Sequence, residues 1–256
     1  MKDRPVILRG DAWAARLQGH LSTPPDEARA WMAEHTHRLK DEKYAVSGLL
    51  RLGGDLCFLK FYGFRWPGAR HALRFHAPRA LRAFDAAASL RWQEVAVPRP
   101  RACLLVRPGL LVLSKGIEAA ETLHYLFSGG IKDDLASHLM RAAGEEIAQM
   151  HLSGHAHGDL RWNNLLWGRD RLYISHLEKA RRVARQSARQ WRDLAQFTVD
   201  AEELGIDPWH YEQFMEAYTR RVEIDKESLV ERMRGPLGRI RNKHWARYGT
   251  YSARLV

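Results

Sequence analysis

The sequence predicts an α+β fold of two lobes, a small β-rich lobe followed by a mainly helical one. Residues 46–62 combine short apolar runs with turn residues, as strands do, whereas residues 132–154 and 189–220 repeat apolar residues at helical spacing. We therefore assign residues 1–115 to the N-terminal lobe, which includes a preceding helical segment, and residues 116–256 to the C-terminal lobe.

The N-terminal lobe is predicted to hold two hairpins with a helix between them. Residues 46–62 form the first hairpin, because two β-rich arms flank Gly53 and Gly54. Residues 77–94 have apolar residues near helical spacing, and a shorter helix is expected over residues 25–37. The second hairpin pairs "RACLLV" with "GLLVLSKGI" around an "RPG" turn.

The C-terminal lobe begins with a long amphipathic helix over residues 132–154 that ends near Gly154. A polar loop follows, and then a strand pair made of "NLLWG" and "RLYIS". Further helices are expected over residues 189–220 and 223–234, with a turn at "GIDPW".

Composition points to a globular protein of a reducing compartment. Of 256 residues, 45% are hydrophobic and 28% are charged, and the two cysteines, Cys57 and Cys103, stand apart in apolar surroundings. The N-terminus has no apolar core of a signal peptide, and the longest apolar run is broken at Arg107 and Pro108. We expect a cytoplasmic protein.

The net charge of +11 suggests an anionic partner, namely nucleic acid, an acidic membrane surface or a phosphorylated substrate. The alternative is that heavy use of arginine reflects only the base composition of the genome. Since none of the usual nucleic-acid-binding motifs is present, a basic nucleic-acid-binding protein is the least favoured interpretation.

The loop "HGDLRWNN" resembles the catalytic loop of the protein-kinase-like phosphotransferases. In that loop an aspartate accepts the proton of the attacking hydroxyl, and an asparagine five residues later binds the metal on the nucleotide phosphates. The resemblance gives these roles to Asp159 and Asn164, and it gives Arg161 the neutralisation of the transferred phosphoryl group. His157 would hold the loop backbone. The alternative is an ordinary polar turn.

Other kinase-like features appear in the expected order along the chain. Lys60 lies on the apolar strand "CFLKFY", where kinases keep the lysine that binds the α- and β-phosphates. The alternative is an edge-strand lysine that extends to solvent. The segment "LLVLSKGI" takes the place of the hinge between lobes, and Asp193 in "QWRDLAQF" resembles the buried aspartate that supports the catalytic loop.

Residues 38–200 resemble the lipopolysaccharide kinase group, the Kdo/WaaP and InaA-like family of Gram-negative bacteria. The most specific part is "HGDLRWNNLLW", together with "LKFY", a basic tryptophan-containing loop and the "VAVPRP" turn. The resemblance implies a bilobal kinase-like fold, ATP with Mg²⁺, and transfer to a sugar hydroxyl of an anionic glycolipid or sugar phosphate. It also implies peripheral contact with the inner face of the inner membrane.

The chain departs from that family at "YISHLEKA". His176 stands where relatives carry the second metal-binding aspartate, and Glu178 is the nearest carboxylate, on the same side if the strand continues. Because imidazole is a poor ligand for Mg²⁺, three interpretations stay open. Glu178 binds the metal, or the site uses Mn²⁺, or the protein is an inactive pseudokinase that still binds nucleotide. Asp85 is the candidate acidic partner of Lys60, because it is the only acidic side chain inside "ALRAFDAAASL".

Three further patterns have alternative interpretations. Arg181, Arg185 and Arg189 would form a basic face if helical, either a clamp for substrate phosphates or an ordinary solvated face. The histidines of "HLSGHAH" have the spacing of a zinc site, which we disfavour because Gly154 should end the helix. The basic C-terminal segment with Trp245 would contact a membrane, stack on nucleic acid, or pack its aromatic residues on the core.

Overall fold

The structure, a computed structural model, describes residues 5–21, 28–64, 78–106, 109–249 and 254–256. Several predicted features lie outside these residues: the start of the helix at residues 25–27, the basic tryptophan-containing loop, and the "RPG" turn at Arg107 and Pro108.

The chain divides into two compact units. The first consists of Met1–Ala88 and Pro98–Glu118, and the second consists of Ser89–Val97 and Ala119–Val256. Ser89–Val97, which precede the second predicted hairpin in sequence, therefore belong to the second unit and not to the first.

The first unit is built on a six-stranded antiparallel sheet with the strand order β1-β5-β6-β4-β3-β2. Its elements are β1 (Val6–Arg9), α1 (Asp11–His20), α2 (Ala28–His35), β2 (His37–Glu42), β3 (Ala45–Leu52), β4 (Asp55–Gly63), β5 (Pro100–Val106) and β6 (Gly109–Lys115). Helix α3 (Arg79–Trp92) begins in this unit and ends in the second.

The first predicted hairpin is confirmed as β3 and β4. Leu52 pairs with Asp55, and the two residues between them, Gly53 and Gly54, have φ of 60° and 85°. A two-residue turn of this kind needs positive φ at both positions, which glycine adopts without steric strain. The turn residues therefore fix the register of the hairpin.

Strand β4 separates an apolar face from a mixed face. Cys57, Leu59 and Phe61 are buried in the core formed with α1 and α2, whereas the alternate residues Lys60 and Tyr62 lie on the opposite face. The position of Lys60 on one face of an inner strand is therefore set by alternation along β4.

Two strands and one helix of this unit were not predicted. Strand β1 pairs with β5, where Val6 lies opposite Leu105, and α1 follows it directly. Strand β2 has the sequence HRLKDE and is exposed at every position, at the edge of the sheet. A charged edge strand lacks the apolar alternation by which strands are recognised, and its charges discourage pairing with other chains.

The second unit is mainly helical. Its elements are β7 (Glu121–Thr122), α4 (Leu123–Ser128), α5 (Asp133–Leu152), β8 (His155–Ala156), β9 (Leu165–Gly168), β10 (Arg171–Ile174), β11 (Arg181–Arg182), α6 (Ala188–Glu203), α7 (Pro208–Val222) and α8 (Lys226–Tyr248), with 3₁₀ turns at Trp162–Asn164 and Leu177–Lys179. Helix α5 ends as predicted, since Ser153 caps it and Gly154 has a φ of 74°.

Helix α8 differs from its prediction. It was expected over residues 223–234, but it runs to Tyr248 and passes through Pro236. A proline removes one helical hydrogen bond, and α8 nevertheless continues past it and packs on α6. The expectation that Trp245 packs on the core is wrong, because its side chain is 61% exposed. Among the described residues, no helix combines the length and the apolar character needed to cross a membrane.

We predict that Gly144→Ala destabilises the second unit. A Cβ at Gly144 on α5 would lie 2.6 Å from the carbonyl oxygen of Phe214 and 2.8 Å from the Cβ of Ala217, both on α7. Separating the helices should lower the free energy of unfolding by about 1–3 kcal/mol, measured by urea denaturation. Gly238→Ala is the control, since its Cβ meets nothing within 4 Å. Equal stability of the Gly144 variant and the wild type would contradict this packing.

Candidate active site

The predicted catalytic loop lies between β8 and β9, and Asp193 of α6 holds its backbone. The Asp193 side chain is 2% exposed. One carboxylate oxygen accepts the N–H of His157 at 2.6 Å, and the other accepts the N–H of Gly158 at 2.8 Å. Hydrogen bonds to a charged group stabilise by about 1.5–3 kcal/mol each, so this carboxylate fixes the start of the loop.

His157 links the loop to the segment that follows β10. The ring is fully buried, and its Nε2 lies 2.8 Å from the carbonyl oxygen of Ser175. Because a carbonyl only accepts, Nε2 carries the proton and Nδ1 is an acceptor. Nδ1 in turn accepts the N–H of Asp159 at 3.2 Å. The ring of His157 therefore joins the backbone of the loop, at Asp159, to the backbone of the segment after β10, at Ser175.

Asp159 presents its carboxylate at the surface of the loop, with a side chain that is 37% exposed. Its Oδ2 accepts a hydrogen bond from Lys179 Nζ at 2.9 Å, and Arg161 Nε lies 3.9 Å from Oδ1. Two cationic side chains thus flank the one group of the loop able to accept a proton from a substrate.

Asn164 is buried and closes the loop. Its Nδ2 donates to the carbonyl oxygen of Asp159 at 2.8 Å. The backbone carbonyl oxygen of Asn164 accepts both the N–H of Ser175 at 2.8 Å and the Ser175 hydroxyl at 2.9 Å. With Nδ2 engaged, Oδ1 is the side-chain atom with which Asn164 could ligate a cation.

His176 occupies a sharp change of chain direction. Strand β10 ends at Ile174, and His176 has left-handed backbone angles of φ 60° and ψ 50° before the 3₁₀ turn Leu177–Lys179. The expectation that His176 and Glu178 share one side of a strand is therefore wrong, because neither residue is in a strand. Ser175 Oγ lies 3.1 Å from His176 Nδ1.

Lys60 of the first unit lies on an inner strand, since β4 is flanked by β3 and β6. The alternative of an edge-strand lysine is therefore wrong. Its Nζ is 4.9 Å from the centre of the Tyr62 ring. Asp85, considered as its acidic partner, instead forms an ion pair with Arg9, with 3.0 Å between Nε and Oδ1.

Comparison with known proteins identifies the family. Residues 69–218, more than half of the chain, match the family described as "Lipopolysaccharide kinase (Kdo/WaaP) family". The chain belongs to this lipopolysaccharide kinase family. The resemblance inferred from the catalytic loop is thereby confirmed.

A solved structure described as "WaaP in complex with acyl carrier protein" has a similar fold. The TM-score is 0.65 at 18% sequence identity, and the alignment covers 94% of this chain and 99% of that one. At this identity the likeness establishes the fold alone, which confirms the predicted α+β bilobal kinase-like class. No curated protein matches the chain in sequence.

Protein-kinase-like phosphotransferases use magnesium, but the donor set of this chain does not fit that ion. Mg²⁺ prefers oxygen ligands in octahedral arrangement. Here Asn164 offers one neutral oxygen, and His176, which the family resemblance places at the second ligand position, offers an imidazole nitrogen. Among the described residues, no group of three or more histidine, cysteine or acidic side chains is placed to hold a metal ion.

The zinc interpretation of the three histidines is also wrong, because their ring nitrogens face protein groups. His151 Nδ1 lies 2.8 Å from the Tyr218 hydroxyl, and His155 Nδ1 lies 3.0 Å from Ser153 Oγ. Burial lowers the pKa of His155.

The predicted basic helix face is wrong as well. Arg181 lies in β11, and Arg185 donates from Nε to the carbonyl oxygen of Leu152 at 2.8 Å. Helix α6 begins only at Ala188, after Ser187, whose N–H donates to Gln190 Oε1 at 3.3 Å. Of the three arginines considered, only Arg189 is helical.

Two charged residues that contact the loop, Lys179 and Asp200, were not predicted from the sequence. Lys179 contacts Asp159, as described above. Asp200 is buried and accepts the N–H of Trp162 at 3.1 Å and Gln196 Nε2 at 2.8 Å. Burial raises the pKa of Asp200, and the Trp162 N–H partly offsets this effect. Its place seven residues after Asp193, on the same helix face, was a usable signal.

We predict that Asp193→Asn loosens the catalytic loop. The amide keeps one acceptor oxygen but turns an N–H₂ group toward one loop N–H, so one buried donor loses its partner. The free energy of unfolding should fall by about 1–3 kcal/mol, and the Gly158 amide should exchange faster with deuterium. Asp170→Asn is the control, since Asp170 is exposed in the β9–β10 turn at φ 55°, where asparagine is accepted. Unchanged protection of Gly158 would refute the role given to Asp193.

Proposed function

We propose that this lipopolysaccharide kinase is an ATP-dependent phosphotransferase that phosphorylates a sugar hydroxyl of an anionic core glycolipid. One observation carries the proposal. The buried Asp193 carboxylate fixes the loop so that Asp159, half-exposed, faces outward between two cations. This is the arrangement that a proton acceptor needs when the attacking group is a substrate hydroxyl.

The roles of the side chains follow from their chemistry. Asp159 accepts the proton of the sugar hydroxyl as its oxygen attacks, and Arg161 offsets charge on the transferred phosphoryl group. The Oδ1 of Asn164 would face the phosphates of the nucleotide. The role of Lys60 in binding phosphates is proposed from the family resemblance alone. ATP supplies the phosphoryl group. The bond between the sugar oxygen and the γ-phosphorus forms as the bond between that phosphorus and the ADP oxygen breaks, and ADP leaves with the electron pair of the broken bond.

The charge of the chain supports an anionic acceptor. The net charge is +11, and Arg181, Arg182, Arg185 and Arg189 follow the catalytic loop closely in sequence. Such side chains bind phosphate and carboxylate groups well. Basic residues and the exposed Trp245 on α8 support peripheral contact with the anionic inner face of the inner membrane.

We predict that Asp159→Asn abolishes transfer while nucleotide binding persists. Transfer of labelled phosphate from ATP to a delipidated core oligosaccharide should fall by about 100-fold or more, the usual contribution of a positioned base. Asp170→Asn should transfer as the wild type does. An Asp159→Asn variant with wild-type transfer would exclude this residue as the proton acceptor.

A second candidate function is favoured by His176. With an imidazole in place of the metal-binding carboxylate, the chain would bind nucleotide and transfer slowly or not at all, as a pseudokinase or scaffold. Mn²⁺, which accepts nitrogen ligands more readily, and Glu178 are the two routes by which a metal could still be bound.

We predict that His176→Asp raises nucleotide affinity in the presence of Mg²⁺ by about tenfold or more, since even outer-shell partners change metal affinity about 10–100-fold. Aspartate tolerates the left-handed backbone of this position, so the turn should be kept. Titration of a fluorescent ATP analogue with Mg²⁺, with Mn²⁺ and with EDTA measures the effect.

Glu178→Gln is the matched variant. If Glu178 already binds the metal, Glu178→Gln removes metal-dependent affinity, and His176→Asp changes little. Metal-dependent binding that is unaffected by either substitution would place the metal site elsewhere.

A further inference from the structure

Lys179 forms a contact with Asp159 that stability alone does not explain. The distance between Nζ and Oδ2 is 2.9 Å, and the two side chains are 53% and 37% exposed. Exposed ion pairs of this kind contribute about 0–1 kcal/mol. Asp159 is, however, the residue that we propose as the acceptor of the substrate proton. At this position the positive charge of Lys179 matters more for the chemistry of the site than for the stability of the fold.

Gly158 makes this contact possible. It has a φ of 79°, and a Cβ at this position would lie 2.7 Å from the carbonyl oxygen of Lys179 and 3.1 Å from the Lys179 Cβ. Any side chain at residue 158 would therefore displace the turn that carries Lys179. The glycine before Asp159 lets the backbone of that turn pack directly on the loop.

The turn itself is closely defined. His176 reverses the chain with left-handed angles, and Ala180 N–H donates to the carbonyl oxygen of Leu177 at 3.0 Å. Lys179 is the last residue of this turn, so its Cα is fixed at the loop while its side chain reaches Asp159. The backbone of this turn therefore positions the Lys179 ammonium beside the Asp159 carboxylate.

Two cationic side chains lie at Asp159. Lys179 and Arg161 bring two positive charges to the one carboxylate of this residue. An ammonium has three N–H groups, so Lys179 can keep its bond to Asp159 and donate to a phosphate oxygen at the same time. Lysine binds phosphate well as a point charge.

We propose that Lys179 contacts the terminal phosphate of a bound nucleoside triphosphate, and that it supplies charge which a metal-binding aspartate and its metal supply in other kinases. The inference rests on the proposed function, since it assumes that nucleotide phosphates lie beside Asp159. It has two consequences. Triphosphate binding is largely independent of divalent metal, and Lys179 discriminates a triphosphate from a diphosphate.

The test is a binding titration with fluorescent ATP and ADP analogues, each in EDTA and in Mg²⁺. We expect the wild type to bind the ATP analogue in EDTA. Lys179→Met should weaken this binding by about tenfold or more, the effect of one charged hydrogen bond, and should leave the ADP analogue nearly unchanged. Lys179→Arg should restore part of the loss, and Lys132→Met, at an exposed lysine before α5, should have no effect.

Gly158→Ala provides a second variant that keeps the lysine but displaces its turn, and it should lose the same preference for ATP. Circular dichroism establishes that each variant is folded. The inference is overturned if the wild type needs Mg²⁺ for ATP binding, or if Lys179→Met binds ATP as the wild type does. Folded wild type that binds neither nucleotide under any condition would instead remove the proposed function.

Discussion

The buried carboxylate of Asp193 is the interaction on which the rest of the site depends. A carboxylate that is 2% exposed is stable only when its oxygens have strong partners, and here two successive N–H groups of the catalytic loop provide them. His151 Nε2 lies 3.6 Å from the same carboxylate, and the Tyr218 hydroxyl lies 2.8 Å from the other ring nitrogen. Helices α5, α6 and α7 therefore meet at one charged group, and the backbone of the loop is the fourth participant.

Helix α6 acts as a template for the loop along two of its turns. Asp193, Phe197 and Asp200 lie on one face, and each contacts the segment that contains the catalytic loop. The Trp162 indole donates to the carbonyl oxygen of Phe197 at 3.0 Å and stacks on its ring, and the Trp162 backbone donates to Asp200. A loop held by a packed helix keeps its shape without substrate, as the proton acceptor that we propose at Asp159 requires.

The fold of the family is kept, and the departure from its sequence pattern falls at His176. The loop carries Asp159, Arg161 and Asn164, and the turn after β10 carries His176 and brings the ammonium of Lys179 to Asp159. The fold depends on buried contacts such as those of Asp193, whereas the side chain of His176 is exposed.

The sequence by itself determined the fold class, the β3–β4 hairpin, the long helix α5, the catalytic loop and the family, because each depends on residues close together in the chain. Only the tertiary structure decided the rest. Strand β2 forms because β3 pairs with it, although its polar sequence has no alternation. Helix α8 continues through Pro236 because α6 packs on it. Lys179 reaches Asp159, twenty residues earlier, because Gly158 leaves space, and no local pattern encodes a contact between two turns.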